Sequence, residues 1–283
     1  MKGRMDMING SLGDKIIRYT IPLVATGILQ QLFNAADLAV VGQFSGKEAM
    51  AAVGSNAPVI GLLVNLFVGI SLGSNVIIAR SIGQRDDEKI SKAVHTSVVV
   101  ALFGGLFLTA LGEFLAPEIV KLLEVPADVY PLAVKYLRIY LAGMPVIMLY
   151  NFEAAIFRSC GNTRTPLIAL VVSGLLNVAL NLFFVIGLGM DVDGVATATV
   201  IANLVSSVLL FTALRKTELA VRIVPAKLRV HGDVLGQILK IGIPAGVQGM
   251  IFSFANITVA EVRRKVGSIM PYFRIVDMPS SIS

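Results

Sequence analysis

The chain has 283 residues, 55% of them hydrophobic and only 15% charged, with a formal net charge of +6 and a mean hydropathy of +0.80. Soluble domains carry about 25% charged residues, so the composition excludes a water-soluble fold and predicts an all-α integral membrane protein. A single cysteine, Cys160, excludes an internal disulfide, and two isolated histidines, His95 and His231, offer no metal-ligand spacing.

A helix needs about 20 apolar residues to cross a bilayer. In chain order, the hydropathy pattern predicts spans at 16–42, 52–80, 93–116, 131–157, 166–188, 194–214 and 236–259. The first run lacks a small-residue cleavage site and is followed by many like it, so it reads as a span rather than a signal peptide. Pro166 opens the fifth span, where a helix tolerates proline. Pro22, Pro145 and Pro244 fall inside spans; each removes a backbone donor and is expected to bend its helix, which makes Pro22 the hinge of the first. Residues 83–89 mix both signs of charge and read as a solvated turn, and residues 215–232 form the longest polar stretch between spans.

The basic residues are not spread evenly. Sixteen precede the first span or lie in the second, fourth and sixth loops and their flanks, against four in the odd-numbered loops. Cytoplasmic loops are the lysine- and arginine-rich ones, so the N-terminus is expected in the cytoplasm of a multi-pass cell-membrane protein. The positive charge is therefore an insertion signal, with no implication of nucleic acid.

The start of the chain recurs near its end. Residues 16–22 align without a gap on residues 238–244, with Pro22 on Pro244, Gly27 on Gly249 and Asn34 on Asn256. Parallel repeats of multi-span bundles are a transporter architecture. The expected organisation is a six-helix transmembrane lobe at 1–230, the first helix of a second repeat at 231–259, and an atypical polar tail at 260–283. The tail carries Arg263, Arg264 and Lys265 on the side where the charge rule expects none. It reads either as a native end or as the product of a shifted reading frame.

Ionisable groups at membrane depth cost roughly 2.5–3.5 kcal/mol on insertion scales and are functional candidates by default. Asp37 is the foremost, with an apolar run following it; Asn34 precedes it by three residues on the same helix face. Asn177 and Asn181, spaced i,i+4, share one face of the fifth span. Asp37 lies fifteen residues after Pro22 and Asn181 fifteen after Pro166, in spans that run the same way, which places the two at comparable depth. Taking a carboxylate out of water favours its protonated form, and amides donate to the ionised form or coordinate a cation. Proton or sodium occupancy at such a cluster biases two conformations; the competing reading is that Asp37 lies at an interface and the asparagines glue helices together. Glu153 is expected to pair with a basic neighbour such as Arg158, five residues on. Met144 and Met148 are candidates for an adaptable substrate cavity, and Gly61, Gly69 and Gly73 for close helix approach. No HExxH, GxSxG or Walker A pattern is present, which argues against enzyme chemistry and against ATP-driven pumping by this chain alone.

Three stretches resemble the multidrug and toxic compound extrusion (MATE) family: residues 21–42, ending Asp37-Leu38-Ala39-Val40-Val41-Gly42; Ala79-Arg80-Ser81-Ile82-Gly83-Gln84-Arg85-Asp86; and Phe157-Arg158-Ser159-Cys160-Gly161-Asn162-Thr163-Arg164-Thr165-Pro166. The resemblance covers residues 12–259. It implies two six-helix lobes around a central cavity and export of drugs or other amphipathic organic compounds, coupled to inward H+ or Na+ with no cofactor. The family's first-helix acid falls on Asp37, and its fifth-helix Asn-xxx-[Asp/Asn] on Asn177 and Asn181. Some branches carry Asp at the second of those positions; Asn181 leaves Asp37 the one clear protonatable member. Nearly all of a second lobe is absent from the sequence, so alternatives remain: a homodimer of halves, a separately encoded second-lobe partner, or a lipid-precursor flippase, which would call for basic residues inside the cavity.

Overall fold

The computed structural model describes the backbone of residues 12–276 and the side chains of residues 13–255. Eight α-helices follow one another: α1 Leu12–Phe44, α2 Lys47–Gln84, α3 Asp87–Leu122, α4 Tyr130–Ala142, α5 Met144–Ser159, α6 Arg164–Leu182, α7 Val192–Lys216 and α8 Gly232–Val276. Six are long and apolar enough to cross a membrane singly, and α4 with α5 form one further span, broken by a 49° bend. The bundle is all-helical among the described residues, as the composition predicts.

Each of the seven predicted spans corresponds to a helix or helix pair; the helices overrun the apolar windows at both ends except in the fifth span, where α6 ends at Leu182 and a π-helical turn carries on to Gly187. Short turns explain the overrun. Between α2 and α3, Arg85 takes a left-handed φ of 57° and its N–H bonds back to Ile82 O. Asp86 then caps α3, its Oδ1 accepting from Lys89 N at 2.9 Å. Between α5 and α6, Gly161 sits at φ 72°, and buried Asn162 accepts from Thr165 N through Oδ1 at 3.1 Å. Such turns leave no length for a gradual exit from the helix.

The bend in the fourth span falls at Gly143, just before Pro145. The α3 backbone comes close there: a Cβ on Gly105 would collide with the Pro145 backbone. Pro22 and Pro244 behave differently, because α1 and α8 run through them uninterrupted. In α1 the Thr26 hydroxyl donates to the Pro22 carbonyl at 2.7 Å.

The core lies among α2, α3, α5 and α7, around Ile78, Phe152, Phe157, Ile156 and Leu210, all fully buried. The outer surface is apolar as well: Ile17, Ile21, Phe103, Phe107 and Phe114 are all exposed. Such a surface suits lipid rather than water.

Helix α8 packs antiparallel along α2 through glycines on both sides. A Cβ on Gly69 would run into the Gly246 backbone, and one on Gly73 into the backbone of Ile238 and Gly242. Farther along, Asn65 Nδ2 donates to Ser253 Oγ at 2.6 Å. The expected close approach thus holds for Gly69 and Gly73, while Gly61 has open space beside it. The character of the tail expected at 260–283 lies outside the described side chains and, for 277–283, outside the described residues altogether; the α8 backbone is helical to Val276.

The linker between α7 and α8 is pinned, not loose. Val221 and Ile223 are buried. His95 on α3 accepts from Val224 N at Nε2, 3.0 Å, and its Nδ1 lies 2.7 Å from Ser91 O. Thr96 Oγ1 accepts from His231 N at 3.1 Å, and Arg229 Nε donates to His231 Nε2 at 2.9 Å. The two histidines, isolated in sequence, both serve this clamp. No group of metal-ligating side chains occurs among the described residues.

Candidate functional site

Three helices converge on Asp37. On α1, Phe33 lies against Gly174 of α6, where a Cβ would collide with its ring. That close approach, one turn below, brings Asp37 onto Asn181: Asn181 Nδ2 donates to Asp37 Oδ1 at 2.5 Å. The second Asn181 N–H reaches Asn177 Oδ1 at 3.4 Å, and Asn177 Nδ2 reaches Thr199 Oγ1 on α7 at 3.4 Å. Thr199 in turn donates to Val195 O at 3.0 Å and stands near the Asp37 carboxyl. Asn177 and Asn181 are buried, Asp37 is half-buried, and Asn181 Oδ1 is a buried acceptor with no partner. From α4, Tyr136 and Tyr140 stand within electrostatic reach of Asp37, their ring centroids 6.1 Å apart.

The chemistry of this set is specific. The carboxylate has amide and hydroxyl neighbours, and none of the ion pairs among the described residues includes it. Asp37, the Asn177 and Asn181 amides and Thr199 offer oxygen atoms from three helices around one point, the donor type that hard monovalent cations and protons take.

Of the residues singled out in sequence, the structure brings Asp37, Asn177 and Asn181 together. Asn34 is exposed and outside the hydrogen-bonded set. Met144 and Met148 are fully buried in this bundle, where the break at Gly143 turns the start of α5 inward against α3. Glu153 is corrected. It is fully buried and accepts from Ser207 Oγ on α7 at 3.0 Å, not from Arg158. Residues five apart point about 140° from each other around a helix, so Arg158 faces elsewhere. Thr199, Tyr136, Tyr140 and Ser207 were missed. The signal for Thr199 was faint: a lone hydroxyl in an apolar run ordinarily bonds back to its own helix, as Thr199 also does.

Fold and site together describe an apolar bundle of helices long enough to cross a membrane, with polar groups from three helices gathered inside it. Comparison agrees. The MatE family model matches residues 22–183, more than half of the chain, and the chain belongs to that family. It is 28% identical over 257 residues to the probable multidrug resistance protein YoeA of Bacillus subtilis, covering 88% of this chain and 56% of that protein. It is 29% identical over 284 residues to the probable multidrug resistance protein NorM of Thermotoga maritima, covering 92% and 60% respectively. Among solved structures, a MOP-superfamily transporter from Pyrococcus furiosus superposes with a TM-score of 0.85 at 27% identity, over 98% of this chain and 62% of that one. The chain thus spans less than two thirds of the length of these relatives.

Proposed function

We propose that this chain is the N-terminal lobe of a cation-coupled antiporter that exports drugs or other amphipathic organic compounds across the cell membrane. The observation that carries the proposal is the Asp37–Asn181 contact, a carboxylate bonded across two parallel helices and outside every ion pair among the described residues. H+ or Na+ is the coupling ion, not a resident cofactor. When the ion arrives, Asp37 no longer needs the Asn181 N–H as its counter-dipole, and the hydrogen bonds from α1 to α6 and α7 rearrange. Pro22, which lacks the N–H that would tie α1 to the preceding turn, is the hinge for that change.

The sixteen-to-four distribution of basic residues supports a cytoplasmic N-terminus. The alignment of α8 on α1 supports reading residues 1–230 as one lobe and 231–259 as the start of another. Alternating access by rocking requires a second lobe facing this one. The Asp37→Asn variant tests the reading in a two-lobed protein that carries this lobe: efflux of an amphipathic dye against an ion gradient is expected to fall at least tenfold at equal membrane expression. Unchanged efflux would remove Asp37 from the mechanism.

A further inference from the structure

A second carboxyl lies buried in the lobe and the Asp37 site makes no use of it. Glu153 on α5 is fully buried. Its Oε2 accepts from Ser207 Oγ at 3.0 Å, and its Oε1 has no partner. Side chains that merely glue membrane helices together have their polar atoms matched, since an unmatched one costs as much as a lost hydrogen bond. A serine or glutamine would bond Ser207 without the cost of a carboxyl.

The charges around it are unusually sparse. From α7 the Ser207 hydroxyl faces it; from α2, Asn75 is committed to the Ala155 carbonyl at 2.9 Å. No charged or titratable side chain of α2, α3, α4, α6 or α7 acts on Glu153, and Arg158 on its own helix acts on Tyr150 instead. An isolated buried carboxylate of this kind is neutralised only by binding a proton. Glu153 is six residues from the end of α5, about 9 Å of helix from the turn that Arg158, in the last turn of α5, and Arg164, at the start of α6, flank.

Helix α7 joins the two carboxyls. Thr199, at the Asp37 cluster, and Ser207, at Glu153, are eight residues apart on it, about 12 Å. Asn203 and Ser206 lie between them on the same side of the helix, Asn203 donating to Thr199 O at 2.8 Å and Ser206 to Ser173 Oγ at 2.6 Å. One rigid element therefore carries hydrogen-bond partners of both acids.

We propose that Glu153, with Ser207, is a second proton-binding site of this lobe, set toward the basic end of the bundle and coupled to the Asp37 cluster through α7. It deepens the antiporter reading, and rests on it for its role in transport but not for proton binding itself. A shift of α7 that breaks the Ser207–Glu153 bond also disturbs Thr199, so proton occupancy at one acid alters the partners of the other.

Infrared difference titration of the whole chain in lipid vesicles tests this. A carboxylic acid whose carbonyl accepts few hydrogen bonds gives a C=O band at the high-frequency end of the acid region. Glu153→Gln is expected to remove one such titrating band, which Asp37→Asn retains, and Ser207→Ala to shift that band without removing it. A titration of Glu153→Gln that matches the wild type overturns the proposal, as does a Glu153 band that never titrates. Should Glu153→Gln not fold, an unshifted spectrum in Ser207→Ala overturns it equally. If Glu153→Gln loses its band while Asp37→Asn loses none, the Asp37 reading fails and this one stands.

Discussion

Asp37 depends on Asn181 more than on any other side chain. The Asn181 contact is 2.5 Å and charge-assisted, whereas both Asn177 contacts are 3.4 Å and neutral. Removing a hydrogen-bond partner from a buried group costs about 1–3 kcal/mol, more where the group is charged. Asn181→Ala is therefore expected to lower unfolding stability in detergent by about 2–3 kcal/mol, and Asn177→Ala by about 1 kcal/mol. Equal losses would show that the cluster has no preferred member. Asn162 illustrates a different economy: its carboxamide caps the start of α6 and also bonds Thr165 Oγ1 at 2.8 Å. Asn162→Ala should cost about 1 kcal/mol through the lost cap, measured as a lower melting temperature without change at the Asp37 site.

At the scale of elements, α8 is held by backbone-to-backbone contact with α2. Leucine at position 69 has nowhere to go except into Gly246, and overpacking of this kind costs about 1–3 kcal/mol. Gly69→Leu is expected to separate the helices; a cysteine pair at Asn65 and Ser253, whose side chains now touch, should then cross-link several-fold more slowly. Undiminished cross-linking would mean that the glycines do not set the approach. The α7–α8 linker invites a pH prediction. His231 accepts a hydrogen bond from Arg229, and its pKa is held below the ordinary value by lost hydration and then by the Arg229 and Lys92 charges. A base whose pKa is depressed when clamped stabilises the clamp fully above its unclamped pKa of about 6.5, and loses that contribution as pH falls toward the clamped value. Amide exchange across residues 217–231 should therefore quicken, relative to the intrinsic rate, as pH drops below about 6.5, and His231→Gln should flatten the response.

For the molecule as a whole, span number and composition class were legible because the bilayer imposes one length and one polarity on every helix. The Asp37, Asn177 and Asn181 group was legible for a related reason, since polar side chains in apolar runs stand out and the i,i+4 spacing fixes their face. What hydropathy does not encode is rotation. Glu153 was matched to the wrong neighbour because sequence proximity says nothing of its 140° offset from Arg158. Pro145 signalled a bend in the fourth span, but not that α3 would pack against it at Gly105. The repeat marked Pro22 and Pro244 as equivalent, yet gave no sign that α8 would lie along α2 through glycines.

The central claim is that Asp37 holds the coupling ion, and equilibrium binding to the purified chain in lipid vesicles tests it most directly. Proton uptake on an acid step and retention of radioactive sodium are measured for the wild type and for Asp37→Asn. The account predicts that the wild type binds one of these ions saturably and that Asp37→Asn loses that binding while remaining folded. Equal saturable binding by both proteins would contradict it.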